Sequence, residues 1–375
     1  MSNTSKANLK FAAINPYVED YIVRPTESVV RGKDFVEWGT KNKFPDYLLD
    51  LFNNVSTLRS IINGNVDYTT GDDVTIQPFR DDFKPGQMTL RGDGIRDQIA
   101  DIAMDYWMMG GFALQIIRDF AGRVSEVYHL PLRFVRTNKE GDVFWYSEKW
   151  GSTGYKDAVV YPAFLPNLKW ESLTPEERQR NASSVVYVKN DNTQSYPSPV
   201  YLAAIKACEI ERQIDTFHLS DLRNHFVSSA ILNFNNGIPT QEIQEEVSKD
   251  IEERFCGSEN GGRIMISWNP DKESATDIVT FDVKDFGERY KALASHSRQQ
   301  IFSAFRAIPL LFGLTSESNT GFSTDEFEQS FKLYNRTMIR PAQRVICDAY
   351  DRIFGQTGVL TIKPFSLDGS EANVK

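Results

Sequence analysis

The stretch Phe305-Arg-Ala-Ile-Pro-Leu-Leu-Phe-Gly313 separates two long helical segments of the sequence. Before it, apolar residues recur every three or four positions over about 285–307, which predicts a helix with one apolar face. Pro309 cannot continue a helix, and Gly313 begins a run of Ser, Thr, Asn and Gly, which predicts a loop. Another long helix is predicted over 324–354, with a kink or break near Arg340 because Pro341 follows it.

An acidic insert precedes this pair of helices and separates it from an earlier long helix, predicted over about 199–226. The insert covers residues 228–283 and holds eleven acidic and four basic residues, so it carries −7 of the chain's net charge of −9. This concentration of charge indicates either a solvated helix face or an electrostatic docking surface. The patterns within it predict a strand, a helix and two strands, at 230–234, 240–255, 263–268 and 277–283.

The first half of the chain mixes helices and strands. Helical spacing of apolar residues begins at Pro45 and continues to Val66, and Ser56-Thr57 allows for two helices there. A further helix over about 93–109 is expected to stop at Gly110-Gly111. Strands joined by two hairpin signals follow and are expected to form one antiparallel sheet, at 112–118, 124–129, 132–137, 143–147, 159–164 and 184–189.

Composition narrows the class of protein. The chain has 375 residues, of which 41% are hydrophobic and 25% charged, the balance of a folded protein. A protein that binds DNA phosphates tightly is usually basic, and this chain is acidic. No apolar run approaches the roughly 18 residues of a membrane span, and the polar N-terminus lacks a secretory signal, so we expect no membrane attachment. Three widely spaced cysteines favour a reducing compartment over a disulfide framework.

The sequence lacks the familiar patterns of enzyme sites. It contains no nucleotide phosphate loop, nucleophile elbow or HExxH pair, and His218 and His225 stand seven residues apart, which does not suit a metal pair. We therefore expect no enzymatic activity, no metal and no cofactor. A hydrolase with a carboxylate pair outside any motif stays open, with Asp72/Asp73 and Asp101/Asp105 as its candidates.

Four stretches occur in an order and spacing typical of one protein family. They are Phe35-Val-Glu-Trp-Gly39 before the first helix, Tyr196-Pro-Ser-Pro199 before the long helix, Phe255-Cys-Gly-Ser-Glu-Asn-Gly-Gly262 before a strand, and Arg306–Gly313. With the polar loop and the helix that follow, they resemble portal proteins of tailed bacteriophages, of the HK97 type found in phages and prophages of gut Bacteroidetes. The resemblance covers about residues 35–365.

The resemblance implies an α+β portal-type subunit. Its parts would be an α/β wing, two long stem helices that flank an α/β clip, a tunnel loop and a long helix that returns to the wing, with a crown that is small or absent. The implied boundaries are an N-terminal arm 1–34, wing 35–198, first stem helix 199–227, clip 228–284, second stem helix 285–307, tunnel loop 308–324, return helix 325–356, and terminal strand and tail 357–375.

The resemblance also implies a function. About twelve such subunits would form a ring at one vertex of the capsid, as the conduit for packaging and ejection of double-stranded DNA without sequence specificity. The large terminase and then a head-tail adaptor would dock on it, and the major capsid protein or a scaffold would surround it. The protein would be assembled in the cytoplasm of the host bacterium and reside in the virion. A head-tail adaptor or minor capsid protein is the alternative.

Residue roles follow from the same resemblance. The tunnel loop would face DNA through Gly313, Thr315, Ser316, Glu317, Ser318, Asn319 and Thr320, which are small and carry one charge. Arg298 and Arg306 would face the channel, or would pair with Glu288 or Asp285 of a neighbouring subunit. The docking surface of the clip would use Glu242, Glu245, Glu246, Lys249, Asp250 and Glu253, and Ile264, Ile266 and Trp268 would build a clip sheet between subunits.

Overall fold

The computed structural model describes residues 26–29, 34–77, 94–150, 157–223, 230–235, 237, 239–255, 264–269, 271, 286–313 and 324–366. Its helices are α1 Phe44–Asn54, α2 Ser56–Thr70, α3 Ile95–Met109, α4 Pro175–Asn181, α5 Ile205–Arg223, α6 Gln241–Phe255, α7 Phe286–Ala304, α8 Thr324–Tyr334 and α9 Arg340–Phe354. Its strands are β1 Glu27–Val29, β2 Val36–Trp38, β3 Asp73–Ile76, β4 Gly111–Arg118, β5 Val124–Leu130, β6 Val135–Thr137, β7 Val143–Tyr146, β8 Val159–Pro162, β9 Ser183–Lys189, β10 Ala230–Phe234, β11 Ile264–Trp268 and β12 Leu360–Lys363. Among these residues, no helix is both long and apolar enough to cross a membrane.

The described residues form three structural units. The main body consists of α1–α4, β1–β9, α8, α9 and β12. The helix hairpin consists of α5 and α7. The insert, residues 228–283, is represented by β10, α6 and β11, and its predicted strand at 277–283 lies outside the described residues. Buried hydrophobic side chains from the main body and from the near end of the helix hairpin form one connected core.

The helices α1 to α3 lie close to the predicted ranges, although α2 continues to Thr70, four residues beyond the predicted end. Val55 has extended backbone angles between α1 and α2, so the expected interruption is present. The helix α3 ends at Gly110, whose φ of 89° is left-handed. A Cβ atom there would lie 2.1 Å from the carbonyl oxygen of Ser198, so both the backbone angle and the close approach require glycine.

The strands β4–β9 form two three-stranded sheets, and the prediction of one antiparallel sheet is wrong. Their orders are β5-β4-β9 and β6-β7-β8. Pro131 and a short 3-10 turn at Leu132–Phe134 redirect the chain after β5, so β6 begins a second sheet. The two sheets meet through a single parallel bridge between Ala163 and Val185, which cannot extend an antiparallel ladder.

The long helix predicted over 324–354 stays helical and is not broken at Pro341. It consists of α8, a π-helical turn at Asn335–Ile339, and α9. Because Pro341 lacks an amide hydrogen and crowds the carbonyl group of Thr337, the wider turn upstream of it absorbs the misfit. The chain then returns to the main body, where β12 pairs antiparallel with β3 beside the end of α2.

Candidate functional site

The helix hairpin is antiparallel and carries the insert at its far end. Tyr201, just before α5, stacks on Phe305 just after α7, with ring centroids 5.2 Å apart. Farther along, Phe217 stacks on Tyr290 at 4.9 Å. Because α5 has 19 residues at ~1.5 Å each, the hairpin is about 28 Å long, and its near end packs into the main body.

The helix hairpin is buried at its near end and exposes apolar side chains farther out. Near the main body, Ile205, Cys208 and Ile301 are all buried. Farther along, Phe217 is 43% exposed, Leu219 49% and Leu293 40%. A helix pair that leaves such side chains in water has apolar surface available for contact with another chain.

Two buried carboxylates fasten the helix hairpin to the main body. Glu209 accepts a hydrogen bond from the Tyr47 hydroxyl at 2.8 Å, and its other oxygen lies 2.8 Å from Arg212. Glu211 accepts from the backbone N–H of Thr57 at 3.2 Å and from its hydroxyl at 2.8 Å, and from the Ser56 hydroxyl at 3.1 Å. Because Val55 supplies no side-chain cap, the carboxylate of Glu211 caps the N-terminus of α2 from another helix.

Cys208 directly precedes Glu209 in α5 and is buried in the core. Burial raises the pKa of its thiol to about 12, and the charges of Glu211 and Glu209 act in the same direction. A thiol with so high a pKa stays protonated near neutral pH, and a protonated thiol is a poor nucleophile.

The segment after α7 holds the start of the predicted tunnel loop in place. A short 3-10 helix at Pro309–Phe312 packs on α2, where a Cβ atom on Gly64 would lie 2.7 Å from the ring of Phe312. The Tyr68 hydroxyl donates to the carbonyl oxygen of Leu311 at 3.0 Å. Gly313 ends the segment with a left-handed φ of 77°. Of the seven residues predicted to face DNA, only Gly313 is described. The others, Thr315, Ser316, Glu317, Ser318, Asn319 and Thr320, lie outside the described residues.

The side chains of Arg298 and Arg306 are both exposed and have no hydrogen-bond or ion-pair partner among the described residues. Arg306 ends α7 with a left-handed φ of 50°. Its amide donates to the carbonyl oxygen of Ser303 at 3.0 Å, and the amide of Ala307 donates to that of Phe302 at 2.9 Å. This is the Schellman arrangement, in which the left-handed position usually holds glycine.

Replacing Arg306 with glycine should raise the free energy of unfolding by about 1 kcal/mol, because a left-handed backbone costs a residue with a Cβ atom about 1–2 kcal/mol. Chemical denaturation monitored by circular dichroism measures the change. Arg306→Lys keeps both the charge and the strain and should leave stability unchanged. A glycine variant no more stable than the lysine variant would contradict the explanation.

The insert is a strand-helix-strand unit whose two described strands are parallel. The strand β10 pairs with β11 from Ala230↔Ile264 to Phe234↔Trp268, and the rings of Phe234 and Trp268 stack at 4.5 Å. Ile264 and Ile266 lie in β11, and Trp268 ends it half-buried. On α6, Glu242, Glu245, Glu246 and Lys249 are exposed, and Asp250 and Glu253 lie within the same helix.

The carboxylates proposed for a hydrolase make contacts that fix the local backbone or pair with a base. Asp72 lies 4.0 Å from Lys363, and Asp73 accepts from the amide of Val74. Asp105 accepts from the amide of Leu132 at 2.8 Å and lies 2.7 Å from His129. Among the described residues, no group of three or more His, Cys, Asp or Glu could hold a metal ion.

The His129–Asp105 pair should make stability depend on pH. Burial lowers the pKa of His129, but the charge of Asp105, the hydrogen bond to it and the charge of Asp101 outweigh burial, so the pKa lies above its ordinary value of 6.5. A raised pKa in the folded state contributes stability below the unfolded pKa, and that contribution is lost as pH rises through the folded pKa. We expect the free energy of unfolding to fall as pH rises above 6.5 and through the folded-state pKa of His129.

The variant His129→Gln isolates this contribution, because it removes the titrating group and leaves a polar side chain. Urea denaturation at several pH values should give a smaller loss of stability above pH 6 in His129→Gln than in the unaltered chain. Equal slopes in the two proteins would show that the pair does not titrate in this range.

Comparison with known proteins locates the fold in phage-like particles. A protein in the neck of an empty gene transfer agent particle, computed with C6 symmetry, is similar with a TM-score of 0.54 and 14% identity, over 87% of this chain and 85% of that chain. A protein in the neck of the native particle, computed with C12 symmetry, has a TM-score of 0.52 and 15% identity, over 86% of this chain and 85% of that chain. An HK97-family phage portal protein from Corynebacterium diphtheriae has a TM-score of 0.47 and 10% identity, over 84% of this chain and 93% of that chain. No protein-family model and no curated protein matches the sequence.

At these identities the similarities establish a shared fold. The α+β class is confirmed, and the fold is shared with proteins in the necks of gene transfer agent particles. The boundaries predicted for wing, stem, clip and tunnel loop, and the roles assigned to single residues, stay predictions.

Proposed function

We propose that this chain is the portal subunit of a tailed phage or prophage and that about twelve copies form a ring. The observation that carries the proposal is the fold, which the chain shares over 87% of its length with a neck protein of a phage-like particle. The C12 symmetry of a related neck supports the number of copies. The ring would sit at one vertex of the virion.

The helix hairpin would be the stem of the ring. Its exposed apolar residues, Phe217, Leu219 and Leu293, would be covered by the stems of the two neighbours. A cyclic ring needs two different contact faces on each subunit, and a pair of antiparallel helices offers them. Burial of apolar side chains between neighbours would stabilise the ring by about 1.5–3 kcal/mol for each large side chain that is fully covered.

Double-stranded DNA would pass through this ring during packaging and ejection. A channel for a moving duplex should make few strong phosphate contacts, and a chain with net charge −9 suits that requirement. The loop that begins at Gly313 would approach the duplex through the small polar side chains of Thr315 to Thr320. Arg298 and Arg306 would supply the cations nearest to it, and the left-handed backbone at Arg306 supports a role that glycine could not fill.

The insert would be the clip, the end at which the large terminase and later a head-tail adaptor dock. The exposed acids of α6, Glu242, Glu245 and Glu246, would attract a basic surface on either partner. An isolated two-stranded sheet is marginal in water, so the edges of β10 and β11 would gain from pairing with the clips of neighbouring subunits. The portal itself would hydrolyse nothing; the terminase would supply the ATPase.

Purification followed by negative-stain electron microscopy and measurement of the solution mass tests the proposal. We expect a ring with a central hole and, for twelve copies of 42.8 kDa, a mass of about 514 kDa. A monomer or dimer at every concentration and salt, also when the major capsid protein and its scaffold are co-expressed, would overturn it in favour of an adaptor or minor capsid protein.

A further inference from the structure

A cavity of about 200 Å³ opens in the main body where the two three-stranded sheets and α9 meet. The buried side chains of Phe144, Phe164 and Val185 line part of it, with the Tyr187 phenol beside them, and polar groups line the rest. Its margin is basic: Lys139, Lys189 and Arg352 line it, against one acid, Glu140. A mixed lining with aromatic walls and a basic margin suits a chain segment that combines aromatic and acidic side chains.

The cations at the margin are available to such a segment. Lys139 and Arg352 are exposed and have no hydrogen-bond or ion-pair partner among the described residues. Lys189 donates to the carbonyl oxygen of Gln194. The cavity therefore carries an excess of positive charge, in a chain whose net charge is −9.

The N-terminal part of the chain enters the main body next to this cavity. The carboxylate of Glu27 accepts a hydrogen bond from the amide of Tyr196 at 2.7 Å, and the preceding residue, Ser195, lines the cavity. Burial raises the pKa of the Tyr187 phenol, and the charge of Glu27 adds to that rise, so Glu27 lies close to a second lining residue. Thr26 therefore lies one residue from a contact with the segment that lines the cavity.

The sequence just before Thr26 has the complementary chemistry. Residues 17–23 read Tyr-Val-Glu-Asp-Tyr-Ile-Val, with five aromatic or aliphatic side chains, two acids and no base. Two residues separate this segment from Thr26, and the nine residues 17–25 can span at most about 30 Å when extended. We propose that residues 17–23 occupy the cavity of the same chain, with an aromatic side chain in its interior and Glu19 and Asp20 beside Lys139 and Arg352.

Photo-crosslinking in the full-length protein tests this placement. The photoreactive residue p-benzoylphenylalanine is put in place of Tyr21, and in a second protein in place of Asn8 as the positional control. After irradiation, mass spectrometry of the digested monomer band should find Tyr21 joined to peptides that contain Phe144 or 185–187, and position 8 should give no such product. Products of Tyr21 confined to other surfaces, or none, would overturn the proposal.

Charge reversal tests the electrostatic part. Lys139→Glu with Arg352→Glu should lower the yield of the cavity crosslink about tenfold, because two attractive exposed pairs become repulsive. The matched double variant Lys169→Glu with Arg180→Glu changes two other exposed cations and should leave the yield unchanged. Adding Glu19→Lys and Asp20→Lys to the first variant should restore it. A yield insensitive to these changes would overturn the pairing, and cavity crosslinks found only in a band of twice the chain's mass would assign the occupant to a second copy instead.

Discussion

Replacing Glu211 with alanine should lower the free energy of unfolding by about 3 kcal/mol, because hydrogen bonds to a charged group contribute about 1.5–3 kcal/mol each. The carboxylate is buried and accepts three hydrogen bonds, from the amide and hydroxyl of Thr57 and from the Ser56 hydroxyl. Alanine would leave those donors without an acceptor and would remove the negative charge from the N-terminus of α2.

The measurement is urea denaturation of the purified chain, followed by circular dichroism. Glu242→Ala is the matched control, because Glu242 is an exposed acid on α6 and its loss should change stability by less than about 0.5 kcal/mol. Glu211→Gln keeps an acceptor oxygen without the charge and should fall between the two. If Glu211→Ala were no less stable than Glu242→Ala, this carboxylate would not fasten the helix hairpin to the main body.

Local patterns were sufficient to predict most helices. Helical spacing of apolar residues from Pro45 and the glycine pair at 110–111 predicted α1 to α3, and the extended Val55 is the expected interruption. These signals succeed because the apolar face of a helix and the glycine that ends it lie within a few residues of one another in the chain. The composition of the loop after Gly313 is local in the same way.

Contacts between distant parts of the chain left weaker signals. Tyr47 and Glu209 are separated by 162 residues, and periodicity in α5 alone did not distinguish Glu209 and Glu211 from the exposed acids around them. The only available signal was the position of these acids in the half of α5 next to the buried Cys208. The division of the strands into two sheets likewise depends on the turn after Pro131, which a pattern of alternating residues does not encode.

For some residues of the candidate site, the sequence indicated the chemical type of the side chain but not the conformation of the backbone. The resemblance implied that Arg298 and Arg306 face the channel or pair with a neighbouring subunit, which stays a prediction; in the single chain both side chains are exposed. It did not predict the left-handed backbone of Arg306, because that angle follows from the way α7 ends against the segment that packs on α2. A strained arginine at a position suited to glycine is a sharper indication of function than exposure alone.

Replacing Leu293 with aspartate should abolish the ring while leaving the subunit folded. Leu293 lies on α7, is 40% exposed in the single chain and is not among the residues of the connected core. In the ring it would be covered by a neighbouring stem, where an unpaired carboxylate costs several kcal/mol of desolvation. Every subunit repeats the same contact, so this cost recurs at each interface. A cost of ~1.4 kcal/mol at a single interface lowers its association constant tenfold, and we therefore expect at least a tenfold loss of assembled protein.

The solution mass at matched concentrations measures the loss, with circular dichroism to confirm that the subunit is folded. Phe120→Asp is the matched control, because Phe120 is 103% exposed at the tip of the β4–β5 hairpin and the same apolar-to-acidic change there should keep the ring. Leu293→Ala should weaken assembly without abolishing it, since it removes apolar surface but adds no charge. A Leu293→Asp protein that forms rings as readily as the Phe120→Asp protein would show that this face of α7 points into solvent in the assembly, and the subunit contacts would then have to be sought on Phe217 and Leu219 of α5.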